Sequence, residues 1–261
     1  MDDITRRETA VPKVVSRSAY QAEVDALLVR EKAHSKEGDA IAAARRRLPM
    51  VEVDGAIPLI GERGTVTLLD VFEGRRLLIA YYFMWHKDQP APQQCEGCTF
   101  FTTQIRELSH FHSRDVTYAT IAQGPYAESR HYHDFMGWQM PWYAAPHSSL
   151  ETLLAGRRIN MMHLICYLRQ GSRVFETYWT WRRGVEQMDN TYRLLDLTVY
   201  GRQEDWEDSP AGWPRDCGEG TARMRINGRP ISQWPRVEAG HSDNLSSGAP
   251  SAILKEQIAN S

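Results

Sequence analysis

The residues Leu77-Leu78-Ile79-Ala80-Tyr81-Tyr82-Phe83-Met84 form an unbroken apolar run, rich in aromatics. A run of this length and type suits a central strand buried on both faces, because alternation of polar and apolar residues is expected only where one face meets water. A loop follows over 86–94, punctuated by Pro90 and Pro92, and then Cys95-Glu96-Gly97-Cys98. After the cysteines, Phe101, Ile105, Leu108 and Phe111 recur at helical spacing. The cysteine pair is therefore expected on a loop after a buried strand, at the N-terminus of an amphipathic helix.

The remaining elements follow from the same periodicities. Residues 1–15 read as a loose arm. Residues 16–48 read as a helix, capped by Ser16, with Ala22, Ala26, Leu27, Val29 and Ala33 as its apolar stripe, and stopped by Pro49. Residues 50–60 suggest a short strand and Val66 to Phe72 lead into a turn at Glu73-Gly74. Val116 to Ala122 is a second long strand, and 127–136 a helix ending at Gly137. Leu164 to Leu168 and Val174 to Trp181 form a hairpin around Gly171, and 185–196 a closing helix. This β–α–β, α, β-hairpin, α order matches the thioredoxin architecture. The expected layout is an α/β, thioredoxin-like domain over 50–205, with an N-terminal arm and helix over 1–49. An irregular tail over 206–261, marked by Gly, Pro and Ser, is expected to bury little, so that deleting 220–261 costs little stability; Trp213 and Trp234 are its candidate anchors.

Composition excludes several classes. The chain has 261 residues and a formal net charge of -2, so no global field favours nucleic acid or an anionic membrane. Arg45, Arg46 and Arg47 read as the solvated face of a helix. No run approaches the roughly 18 apolar residues of a membrane span, and no apolar stretch follows the charged start, so a cytoplasmic location is expected. In that reducing compartment, four cysteines are not a disulfide framework. Cys166, inside an apolar strand, reads as a small core hydrophobe, and Cys217 as a free thiol in the tail.

Two cysteines separated by two residues can close a small disulfide. A helix N-terminus stabilises a thiolate through its dipole and its free N–H groups, so Cys95 is the expected nucleophile and Cys98 the resolving thiol. The same two thiolates would suit copper(I), and a histidine is the natural further ligand. Of the nine histidines, His163 is placed by topology in the loop entering the strand beside the pair, and His86 at the end of the strand leading to it. His110 with His112, and His131 with His133, stand two apart and so point to different helix faces.

Several stretches are familiar together: Val15-Ser16-Arg17, Arg30-Glu31-Lys32, Ala42 to Pro49, Leu68 to Gly74, Tyr82-Phe83-Met84, the cysteine pair, Met136-Gly137-Trp138 with Pro141-Trp142, and Leu195-Asp196-Leu197-Thr198. In these the chain resembles an uncharacterised bacterial family of thioredoxin-like proteins, distantly related to peroxiredoxins. The resemblance covers residues 14–205 and implies the fold and the cysteine pair, without a reaction. Thioredoxins carry a cis-proline before the strand at 164–168, where this chain has Ile159-Asn160-Met161-Met162-His163. Peroxiredoxins carry a threonine three before their cysteine, where this chain has Pro92. His163 before its strand resembles the Sco-type copper proteins, whose two cysteines have three residues between them rather than two.

Two functions are carried forward. The first is an oxidoreductase cycling Cys95 and Cys98 between dithiol and disulfide, acting on a small-molecule or protein thiol. The second is a copper(I) protein or copper-dependent oxidase with Cys95, Cys98 and His163 as ligands. An interaction protein that keeps the fold without catalysis is the third reading, and self-association stays open.

Overall fold

The structure, a computed structural model, describes residues 10–214 and 224–246. Its elements run α1 (Arg17–Arg45), β1 (Val51–Val53), β2 (Pro58–Gly61), β3 (Gly64–Thr67), β4 (Leu77–Phe83), α2 (Glu96–Gln104), α3 (Ser109–His112), β5 (Val116–Ala122), α4 (Tyr126–Met136), β6 (Trp142–Ala144), α5 (His147–Leu153), β7 (His163–Gln170), β8 (Arg173–Trp181), α6 (Thr191–Leu195), β9 (Arg225–Ile226), β10 (Arg229–Pro230) and α7 (Trp234–Glu238). Short 3₁₀ turns at Asp70–Phe72, Ala91–Gln93, Arg182–Met188 and Ile231–Gln233 join them.

The main sheet has the order β1-β8-β7-β4-β5-β6-β2-β3. Its centre is β5-β4-β7-β8. There β4 and β5 pair in parallel across α2, and β7 and β8 return antiparallel. That is the thioredoxin core, and the chain adopts a thioredoxin-like α/β fold with an N-terminal helix. β6 extends it in parallel beside β5, and the β2–β3 hairpin closes that edge.

Strand alternation divides the core in two. Tyr81, Phe83, Tyr118, Ala122 and Leu164 face α2 and α4, where they pack with Phe101, Tyr132, Phe135, Trp138 and Trp142. Leu78, Ala80, Tyr82, Ile121, Ile165 and Tyr167 face the other way, onto Leu150 and Leu153 of α5. Burying each such large side chain contributes about 1.5–3 kcal/mol. Both faces of β4 are therefore covered, as its uninterrupted apolar run requires. The buried Tyr82 and Tyr167 hydroxyls satisfy each other at 2.8 Å.

Several expectations change. The apolar stripe of α1 covers nothing: the helix has no buried residue, although Ser16 caps it by accepting from the Ala19 N–H at 3.2 Å. Its last turn meets the sheet where the Arg45 guanidinium lies 5.0 Å over the Tyr178 ring. The segment 50–60 is two strands, which pair with different partners at opposite edges of the sheet. The helix after the cysteines stops at Gln104, since Ile105 turns extended, and Ile105, Leu108 and Phe111 still pack on the same core. Threonines at 99, 102 and 103 leave that helix little propensity to continue. The closing helix at 185–196 is a 3₁₀ turn followed by α6. Among the described residues no helix is long and apolar enough to cross a membrane.

The largest correction concerns the tail. Cys217 lies outside the described residues, but 224–246 packs on the domain. Gln233 is fully buried and donates from Nε2 to the Ala91 carbonyl at 2.8 Å and to the Tyr132 hydroxyl at 2.6 Å. Leu245 joins the core on the α2 side, Arg236 donates to the Met136 carbonyl, and the His241 ring bonds the Phe135 carbonyl. Of the expected anchors, Trp234 donates to the Ile226 carbonyl within the segment itself and Trp213 sets its ring edge-on to Tyr200. The anchors are Gln233 and Leu245, which composition could not single out. Gln233→Ala should therefore destabilise the protein by about 1–3 kcal/mol, because it removes two buried hydrogen bonds worth about 0.5–1.5 kcal/mol each. A denaturant midpoint equal to wild type would show that the segment is not seated on the domain.

Candidate functional site at the cysteine pair

β4 ends at Phe83, and the chain crosses the loop 84–94 to reach Cys95. Gln94 holds this loop closed. Its buried amide accepts from the His86 N–H at 3.1 Å and donates to the His86 and Gln89 carbonyls, each at 2.9 Å. Cys95 is the N-cap of α2: its Sγ accepts from the Cys98 N–H at 3.3 Å. Sulfur thus occupies the place that a Ser or Asp oxygen takes at most helix starts. The Thr99 hydroxyl fixes the first turn by donating to the Cys95 carbonyl at 2.7 Å.

The two thiols differ in environment. Cys95 is 6% exposed and Cys98 fully buried, beneath it. The Cys95 thiol is held below the ordinary range, chiefly by the Cys98 thiol beside it; burial works against this, and the Cys98 N–H adds to it. Burial pushes the Cys98 thiol well up, and the neighbouring Cys95 adds to the rise. Tyr81 and the Met84 N–H, which donates to the Cys98 Sγ at 3.3 Å, oppose it. The Tyr81 hydroxyl, raised by burial, finds no full hydrogen-bond partner.

Around Cys95 lies a cavity of about 570 Å³. Four methionines line it, Met84, Met161, Met162 and Met224, and the Met84 Sδ is 3.9 Å from the Cys95 Sγ. A Cβ on Gly97 would stand 3.3 Å from the Met162 methyl and 3.8 Å from the Met224 Sδ, so the absence of a side chain there lets the thioethers close on the pair. Arg225 clamps the approach. Its guanidinium pairs with Glu96 at 3.1 Å and donates to the Pro92 carbonyl at 2.8 Å and the Gln94 carbonyl at 2.9 Å. Sequence reasoning missed the methionines and Arg225, since they come from three separate stretches with no shared motif.

The expected histidine ligand is not brought to the pair. His163 is paired with Tyr82 across β7–β4, so its side chain shares the face of Tyr82, opposite the cysteines. It is fully buried, donates from Nε2 to the Arg158 carbonyl at 2.9 Å, and stacks on Trp181 with centroids 6.2 Å apart. Burial lowers its pKa. The loop before β7 does reach the site, but through Met161 and Met162. His86 lines the cavity with its Nδ1 bonded to the Gln93 carbonyl at 2.8 Å. Among the described residues, no three His, Cys, Asp or Glu side chains are grouped so that they could hold a metal ion. The Cys95, Cys98, His163 set for copper(I) is therefore not assembled. Cys166 is half-buried and belongs to neither core cluster, so it is not the core hydrophobe expected; burial still pushes its thiol up to about 11.

Glu96 raises the Cys95 thiol by its charge, and Arg225 is the cation paired with that carboxylate. Arg225→Gln should shift the pH midpoint of Cys95 alkylation upward by a few tenths of a unit. His163→Ala should leave it unchanged. A shift with His163→Ala and none with Arg225→Gln would place the electrostatic control on the wrong side of the sheet.

Similar solved structures have low identity. A thiol:disulfide interchange protein DsbE from Chlorobium tepidum is 12% identical and aligns over 54% of this chain and 94% of its own, with TM-score 0.37. A thioredoxin from Wuchereria bancrofti is 16% identical over 53% of this chain and 90% of its own, with TM-score 0.35. Peroxiredoxin Q from Xanthomonas campestris is 14% identical over 52% and 87%, also with TM-score 0.35. No curated protein matches. The family is shown by a match over residues 9–225: this chain belongs to the bacterial proteins of unknown function grouped as DUF899.

Proposed function

We propose that the protein is a thiol–disulfide oxidoreductase in which Cys95 attacks and Cys98 resolves. The observation that carries this reading is the asymmetry of the pair. One sulfur caps a helix and opens on a cavity with its pKa lowered; the other is sealed below with its pKa raised. A structural pair of buried cysteines would need neither the cap nor the cavity. The cytoplasm, expected from the sequence, is a compartment that would return the pair to the dithiol.

The chemistry follows in two exchanges. The Cys95 thiolate attacks one sulfur of a disulfide R–S–S–R; a bond forms to the Cys95 Sγ, the substrate bond breaks, and one thiolate leaves and takes a proton. Cys95 is now neutral, so its charge no longer raises Cys98. The Cys98 proton passes to the departing thiolate or to water, with the Met84 N–H still donating to the sulfur. Cys98 then attacks the Cys95 Sγ, closes the Cys95–Cys98 disulfide and releases the second thiol. The protein loses two electrons and two protons, and the substrate gains both. A dithiol reductant must reverse the protein half-reaction for turnover.

Two outcomes test the order of events. In the reduced protein, Cys95 should alkylate with a midpoint below the ordinary thiol value of about 8.5, and Cys98 should not alkylate until the protein unfolds. With Cys98→Ser, a mixed disulfide should accumulate at Cys95; with Cys95→Ser, none should form at Cys98. Equal reactivity of the two thiols, or trapping at Cys98, would reverse the roles or remove them.

A further inference from the structure

The walls of the cavity over Cys95 narrow what can reach it. Cys95 is 6% exposed, and it lines a cavity with Met84, Met161, Met162 and Met224. A folded protein would have to seat a disulfide among Met162, Met224 and Trp206, which line this cavity with Cys95. A volume of about 570 Å³ is instead that of a small-molecule site. The thioethers give it a soft, apolar and adaptable floor, suited to sulfur-bearing ligands of variable shape.

The rim adds a charge. Glu96 is committed to Arg225, Glu186 to Arg183 and Arg202, and Glu204 accepts from the Trp206 indole. Arg182 differs: among the described residues it forms no ion pair. Its guanidinium lies 4.4 Å over the Trp181 ring, and its backbone is held left-handed at φ 51°. Stacking uses the face of a guanidinium and leaves its in-plane N–H groups free to donate, which is the arrangement that receives a carboxylate.

We infer that the substrate is a low-molecular-weight disulfide bearing a carboxylate, with its sulfurs among the methionines at Cys95 and its carboxylate on Arg182. This rests on the dithiol reading above and adds the substrate class to it. The exchange is the one already balanced: the disulfide takes two electrons from Cys95 and Cys98 and leaves as two thiols, both still carboxylated.

The test follows oxidation of the reduced full-length protein, read by loss of free thiol, with three oxidants at equal disulfide concentration: 3,3′-dithiodipropionate, the uncharged 2-hydroxyethyl disulfide, and insulin. Wild type should react faster with the dicarboxylate than with the neutral compound, and more slowly with insulin than with either. Raising the ionic strength should shrink the first preference. Arg182→Gln should slow the dicarboxylate by about two- to five-fold, the range for one solvent-exposed ion pair, and leave the neutral disulfide unchanged. Arg63→Gln, which removes an exposed charge lying away from this cavity, should change neither. Equal slowing of both small disulfides, an unchanged dicarboxylate rate in Arg182→Gln, or insulin reacting as fast as the small compounds would overturn the inference while leaving the dithiol reading intact. If no disulfide oxidises the wild type at all, the dithiol reading falls and this inference with it.

Discussion

The hydrogen bond from the Cys98 N–H to the Cys95 Sγ ties the fold to the chemistry. A helix start leaves backbone donors without partners, and they must be met by something. Here that something is a sulfur. The charge that favours the thiolate and the geometry that begins α2 are then one interaction, and neither can be altered without the other. The strand before it makes the cap possible. β4 is buried on both faces, so its end at Phe83 is fixed in space. Gln94 then holds the loop 86–89 so that Cys95 returns over that end.

What surrounds the cap comes from far along the chain. Met162 arrives from the loop before β7, Met224 and Arg225 from the C-terminal segment, and the Arg182–Trp206 stretch from beyond β8. Gln233 and Leu245 keep the C-terminal segment in place by joining the same core that holds Cys98. Stability and site are coupled here: loosening the segment withdraws Met224 from the cavity and Arg225 from Glu96.

Much of this was legible in the sequence. The apolar run at 77–84 specifies a two-sided strand and Gly171 a hairpin, and both are observed; the spacing after Cys98 gives a helix that begins as expected but stops at Gln104. His163 shows where periodicity stops. The loop before β7 does meet the cysteines, but a strand sends successive side chains to opposite faces, and a shift of one position decides which side a residue serves. Met162 falls beside the pair and His163 behind the sheet. Choosing between them needs the face on which α2 packs, which no local pattern records. The C-terminal segment was illegible for a different reason. Its contacts are single side chains reaching across more than a hundred residues of sequence, with no periodicity of their own. α1 marks a third limit: its cap and propensity are enough to predict a helix, but not what, if anything, it packs against.

The account stands on Cys95 and Cys98 forming one reversible couple from which Cys166 is excluded by its sheltered, high-pKa thiol. The most direct measurement is the mass and disulfide map of the full chain equilibrated with a thiol–disulfide buffer across a range of potentials. The account predicts a single transition in which the protein loses two hydrogens, with the new bond mapped between Cys95 and Cys98 and Cys166 unmodified throughout. Oxidation that instead leaves a stable buffer adduct on Cys95, or joins either cysteine to another thiol while the pair stays open, would contradict it.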